Sequence, residues 1–150
     1  MAKHFQRELE KIKKSILSLG AIVEDRVRLA IKSIDGRDAA IAEQIINMDY
    51  EIDEMEVEIE EECLKVLALH QPVAVDLRFL VSVIKINNDL ERIADETVNI
   101  AYRIKTISKN KDCRFIFDYA LMAEKASTFD ARVFPCGCHQ TCEGYVFYKI

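Results

Sequence analysis

The chain has 150 residues, half of them hydrophobic and 31% charged, with four Gly, two Pro and no Trp. So few turn residues exclude a turn-rich β fold and predict an all-α one, in a single domain able to bury roughly two-thirds of its unfolded surface. A formal net charge of −5 excludes a nucleic-acid backbone as the main ligand, because that needs a basic surface, and leaves cations and basic partners.

The chain opens MAKHFQRELEKIKK, without an apolar leader core, and no later stretch reaches the length of a membrane span. The expectation is a cytoplasmic protein with no direct membrane insertion. From Phe5, apolar residues at Leu9, Ile12, Ile16, Leu19, Val23, Val27, Ala30 and Ile34 recur every three or four positions, one buried helical stripe. The stretch SIDGRD ends it. Gly36 is expected to take a positive φ as the C-terminal cap, and Asp38 to accept the free N–H groups of the next helix.

The second stripe is Ile41, Ile45, Met48, Ile52, Met55, Ile59, Cys63 and Val66, read as one helix. Asp49, Asp53, Glu56 and Glu60 give that helix an acidic edge beside its apolar one. HQP breaks it, since Pro72 disfavours a helical Gln71 and suits the first turn of a new helix. A third stripe, Val83, Ile86, Leu90, Ile93, Thr97, Ile100, Ile104 and Ile107, runs to about Ser108. Three rods of roughly 45 to 55 Å joined by short turns make an antiparallel three-helix bundle. After SKNKDC, FIFDYALMAEKAS predicts a short fourth helix, and TFDARVFPCGCHQTCEGYVFYKI keeps neither the helical nor the strand period, an irregular C-terminal tail. The organisation is thus 1–108 as the bundle, 109–127 as the start of a further unit, and 128–150 as a Cys-rich tail. Five cysteines are an odd number, and Cys63 lies within a helical pattern. Reduced thiols are expected rather than a disulfide framework.

Counting 100° per residue from the core-facing Leu90, Glu91, Asp95, Asn88 and Asn99 fall in one arc on the opposite side. Two carboxylates at i and i+4 repel, so the pattern needs an offsetting cation, a basic partner or only water. Hard oxygen donors of this kind suit iron, manganese, magnesium or calcium rather than zinc; the alternative is a solvated helix face. Enzyme signatures are lacking. None of His4, His70 and His139 stands three positions after a glutamate as a di-iron site requires, and no phosphate loop, nucleophile elbow or paired zinc-binding histidines occur. His70 at a helix end reads as a capping or packing residue. In the tail, Cys136, Cys138, His139 and Cys142 resemble a zinc knot, with spacing tighter than usual structural sites.

The stretch LHQPVAVDLRFLVSVIKINNDLERIADETVNIA resembles the signature segment of the PhoU family, accessory regulators of phosphate-specific transport. Gln71-Pro72, Asp76-Leu77-Arg78, Leu90-Glu91-Arg92-Ile93 with Asp95, and Asn99-Ile100-Ala101 occur in the family's order and spacing. The resemblance extends from Phe5 to about Lys105. It implies a bundle built from two similar three-helix halves, in the bacterial cytoplasm and dimeric, that restrains a phosphate sensor histidine kinase and a phosphate ABC transporter when phosphate is plentiful. It also implies metal binding by an acidic motif that falls here on Glu91 and Asp95, with Asn88, Asn99, Asp49 and Asp53 as adjoining candidates. Ala94 stands where the family has Gly, and Glu96 where it has His. FIFDYALMAEKA looks like the opening of the second half, whose own acidic motif is absent. The tail reads either as a frame-shifted remainder, giving a truncated non-functional product, or as the divergent end of a short paralogue. A stand-alone metal-binding bundle without regulatory partners is the further alternative.

Overall fold

The computed structural model describes residues 2–109 together with 121, 122, 124 and 125. Between residues 2 and 107 the described chain forms four helices: α1 (Ala2–Gly36), α2 (Ala39–Asn47), α3 (Asp49–His70) and α4 (Ala74–Ile107). α1 and α4 each run about 50 Å, while α2 and α3 together make the rod antiparallel to both. The all-α antiparallel three-helix architecture expected from the stripes is the one adopted.

The stripe of α1 is buried through Leu9, Ile12, Ile16, Leu19 and Val23, and continues through Arg26, Ala30 and Ser33. Val27 and Ile34 are only half-buried. At its end the Asp38 N–H donates to Ser33 O at 3.1 Å and the Arg37 N–H to Ile34 O at 3.3 Å, closing the last turn in a Schellman motif. Arg37, with φ 46°, holds the left-handed position. The sequence reading places that conformation on Gly36. Instead the helix runs one residue further, so Gly36 is its last helical residue and the turn begins on Arg37. Asp38 caps α2 as expected: its Oδ1 accepts from the N–H of Ala40 at 2.8 Å and of Ile41 at 3.3 Å.

The predicted second helix is two helices, separated at Met48 (φ −102°, ψ 3°). A one-residue interruption leaves the stripe in phase, Ile45 and Ile52 both remaining buried, so apolar spacing cannot disclose it. Arg26 of α1 is buried at the break, its Nη1 3.0 Å from the Met48 sulfur and its Nη2 donating to Glu51 Oε2 at 2.8 Å. α3 ends on Gln71, left-handed at φ 46°, whose N–H reaches Leu67 O at 3.2 Å. Pro72 and the extended Val73 then lead into α4.

Two apolar clusters fill the bundle. The larger joins Leu9 to Val23 of α1, Ile52 to Val66 of α3, and Leu80 to Ala94 of α4. The smaller gathers Ala30, Ala42, Ile45, Ala101 and Ile104 around α2. Cys63 sits in the larger cluster, where burial and then Glu60 and Glu62 push its thiol up to about 11, so it serves as a small apolar side chain. Of the expected fourth helix, Leu121, Met122, Glu124 and Lys125 are described and are helical. The rest of 109–127 beyond Lys109, and the tail with Cys136, Cys138, His139 and Cys142, lie outside the described residues. No described helix is long and apolar enough to cross a membrane.

Candidate acidic site on the seam between α3 and α4

The core seam of α4 is Leu80, Val83, Asn87, Leu90, Ala94, Thr97, Ala101 and Ile104, in steps of three and four. Fixing that phase turns Glu91 half toward α3 and leaves Asn88, Asp95 and Asn99 exposed. α3 answers with Asp49, Asp53 and Glu56, spaced by four and three. Two acidic edges, each short on its own helix, therefore run side by side.

Their proximity is visible in their acidities. Burial pushes the Glu91 carboxyl above the usual range, and Asp95 on its own helix, then Glu56 and Asp53 on α3, add to the rise together with a hydrogen bond to Asp95. Asp49 is raised by burial and by the charges of Asp53 and Asp95, with the Arg26 guanidinium opposing. Glu56 is raised by burial, then by Glu60 and Asp53. Repulsion thus crosses the seam at two levels, Glu91 against Glu56 and Asp53, and Asp95 against Asp49. Of the residues singled out from sequence, Glu91, Asp95, Asp49 and Asp53 are brought together, while Asn88 and Asn99 stand on the outer side of α4.

Two participants escape the sequence reading. Spacing puts Glu56 on the acidic edge of its helix but does not set it facing Glu91. Asn88 is the amide that spacing selects, whereas its neighbour Asn87 is the one inside the seam. Asn87 is fully buried; its Nδ2 donates to Glu56 O at 2.9 Å and lies 3.3 Å from Glu56 Oε1, while its Oδ1 has no hydrogen-bond partner among the described residues. The three-and-four spacing through Val83, Asn87 and Leu90 is the signal that could find it.

The donors are all oxygens, the set that hard cations select. They are not drawn to a point: among the described residues, no three His, Cys, Asp or Glu side chains are gathered closely enough to hold a metal ion. A cation here would have to pull them inward against solvent. At the far end of the bundle His70 packs as expected, its Nε2 2.6 Å from Glu8 Oε2 and its ring 5.0 Å from that of Phe5.

A sequence profile described as the PhoU domain matches residues 16–104, which include every member of the acidic seam. The chain belongs to the PhoU family. A phosphate-specific transport system accessory protein PhoU homolog from Pseudomonas putida is 40% identical over 103 residues, covering 69% of this chain and 40% of the relative. The homolog from Aquifex aeolicus is 33% identical over 118 residues, covering 79% of this chain and 53% of the relative. The chain therefore spans about half the length of these PhoU proteins. Among solved structures, PhoU from Pseudomonas aeruginosa superposes with a TM-score of 0.82 at 31% identity, over 87% of this chain and 63% of that one. The phosphate transport system regulatory protein PhoU from Streptococcus pneumoniae gives 0.79 at 30% identity, with 87% and 61% covered.

Proposed function

We propose that the chain is a non-catalytic regulator of phosphate uptake, restraining a phosphate sensor histidine kinase and a phosphate ABC transporter when phosphate is plentiful. The PhoU match across α1, α3 and α4, with relatives named for accessory roles in phosphate-specific transport, carries this reading. Co-purification of the kinase or a transporter subunit with the full chain, and altered phosphate-dependent gene expression on its deletion, are the expected results. Neither occurring would defeat the proposal.

In the same reading, the acidic seam takes iron, manganese or magnesium. Glu91, Asp95, Asp49 and Asp53 are its carboxylate ligands, and Asn88 and Asn99 stand at its rim. Four carboxylates that each give one oxygen leave open positions in a shell of about six, and water or phosphate supplies the remainder, which links the ion to the regulated anion. Calorimetric titration with manganese compares the parent with the double variant Glu91→Gln, Asp95→Asn. The helices persist, because amides replace acids at little cost in helix propensity, and uptake falls. Equal uptake would return the seam to a solvated face.

The charged seam also favours a second reading, a stand-alone metal-binding bundle, in which cation uptake survives and neither regulatory partner is captured. Large apolar side chains left exposed, Tyr50, Val57 and Leu64 at seven-residue spacing on α3 and Leu77 and Val81 on α4, are compatible with a homodimer, since exposed apolar surface is a common mark of association. Sedimentation at high concentration tests it, a helical monomer being the contrary result.

A further inference from the structure

We propose that the outer face of α3 is a docking surface for a basic amphipathic helix, whose apolar side chains lie along Tyr50, Val57 and Leu64 and whose lysines or arginines meet Asp53, Glu54, Glu60 and Glu61. The surface needs no bound cation and stands apart from the cation reading above.

Exposed apolar side chains are unevenly spread over the bundle. Among the described residues α1, 35 residues long, exposes a single large one, Leu17. α3 is shorter and leaves Tyr50, Val57 and Leu64 exposed by 69, 51 and 52%. Seven residues make nearly two turns, so the three form one line about 21 Å long. That line points away from the buried Ile52, Ile59, Cys63 and Val66, and a repeat of seven is the period on which one helix seats another.

Acids fill the turns between the apolar positions, first Asp53 and Glu54, then Glu60 and Glu61. Acids of α3 that face α1 are neutralised there: Glu51 pairs with Arg26 at 2.8 Å and Glu62 with Lys11 at 3.1 Å. The four beside the line have no ion pair among the described residues, and Lys65 is the sole lysine or arginine of α3. Charge therefore selects the occupant. A second copy presenting the same face sets acid against acid in either direction: in parallel each acidic pair meets itself, and antiparallel about Val57 brings Asp53 to Glu61 and Glu54 to Glu60. A homodimer is thus left with other apolar residues, such as Leu77 and Val81 of α4. A helix with the same apolar repeat and basic residues in the intervening turns gains complementary charge on both flanks.

The test titrates the full chain into fluorescent alanine-based helical peptides of about 20 residues. One carries leucine at every seventh position with lysines in the turns between, and the other has glutamate for each lysine. Anisotropy at about 0.15 M salt should show the lysine peptide binding at least about tenfold tighter than the glutamate peptide. Val57→Gln with Leu64→Gln weakens its binding about tenfold, while Leu17→Gln on α1 leaves it within about twofold of the parent. Glu54→Lys with Glu61→Lys reverses the preference, making the glutamate peptide the tighter ligand. Every substituted side chain is exposed, so the variants keep the parent's melting temperature; should the glutamine double variant unfold, Leu64→Gln alone carries the comparison. Equal affinity for the two peptides, no binding of either, or binding that the glutamine variant leaves unchanged overturns the proposal, the last because it marks adhesion to acidic surface at large. Sedimentation in which the parent dimerises, the glutamine variant does not and the dimer excludes the peptide assigns the face to a second copy, and overturns the proposal as well. Manganese uptake is measured separately, so the cation reading survives or fails on its own titration.

Discussion

The two ends of the bundle are packed with different side chains. Below the break at Met48, α1, α3 and α4 meet through Leu9, Ile12, Ile16, Leu19, Ile52, Ile59, Val66, Leu80 and Leu90. Above it, the short α2 meets α1 and α4 through Ala30, Ala42 and Ala101, with Ile45 and Ile104 as the bulky members. Alanines let helix axes approach closely but remove little apolar surface from water per residue, about 25 cal/mol for each Å². One end is held by volume and the other by close approach, by the Asp38 cap and by the ion pair of Lys105 with Glu43. The acidic seam lies just beyond the joint between them, with Arg26 of α1 at the joint itself.

Substitution in the larger cluster has the largest effect. Leu19→Ala leaves a cavity among fully buried neighbours and destabilises by about 4 kcal/mol, whereas Ile45→Ala at the small end, where the buried neighbours are largely alanines, costs about 2 to 3 kcal/mol. Urea unfolding of the two variants measures both, and equal losses would abolish the distinction between the ends. Native-state hydrogen exchange sharpens it, with α2 amides exchanging by local opening and those of α4 from Leu80 to Leu90 only on global unfolding.

Arg26→Ala tests the joint. It removes a buried side chain whose partners are the Met48 sulfur and Glu51, at an expected cost of about 2 kcal/mol. Glu51 is half-exposed and regains water, which keeps the loss below that of breaking a fully buried pair. Arg26→Met, retaining the volume, recovers part of it. Asp38→Ala strips the cap from the weaker end and costs about 1 kcal/mol; the added exchange should be confined to α2.

The smallest expected effect depends on pH. Glu91, Asp49 and Glu56 all titrate above the ordinary carboxylate range in the folded chain, so the folded state holds more protons than the unfolded one. The stability this confers is complete below the unfolded values, near pH 4, and is lost as pH rises through the raised folded ones. Glu91→Gln mimics the protonated acid. It should stabilise by about 0.2 to 0.5 kcal/mol at pH 7, with the advantage fading toward pH ~4. A gain that is the same at both pH values would mean that like-charge repulsion across the seam is not its source.

The stripe of α1, the cap at Asp38 and the stop at Pro72 are legible in the sequence because each depends on residues within one turn of the chain. The pairing of Glu91 with Asp95 is legible for the same reason, four residues being one turn. Glu56 cannot be assigned to the site that way, because its facing residue is 35 positions away and no periodicity within α3 can name it. Asn87 is missed by a single position. A stripe drawn through Ile86, Ile93 and Ile100 lies 100° from one drawn through Asn87, Ala94 and Ala101, and both read as apolar faces.

From sequence alone came the helices, their approximate ends, the family likeness and the acidic motif on α4, all properties of local spacing and side-chain chemistry. Tertiary structure decided which of two adjacent helical faces is buried, where the second rod breaks, and which carboxylates oppose one another across the seam. Those depend on how three helices rotate to fill one core, with Arg26 and Asn87 occupying buried positions where polarity alone would have placed them outside.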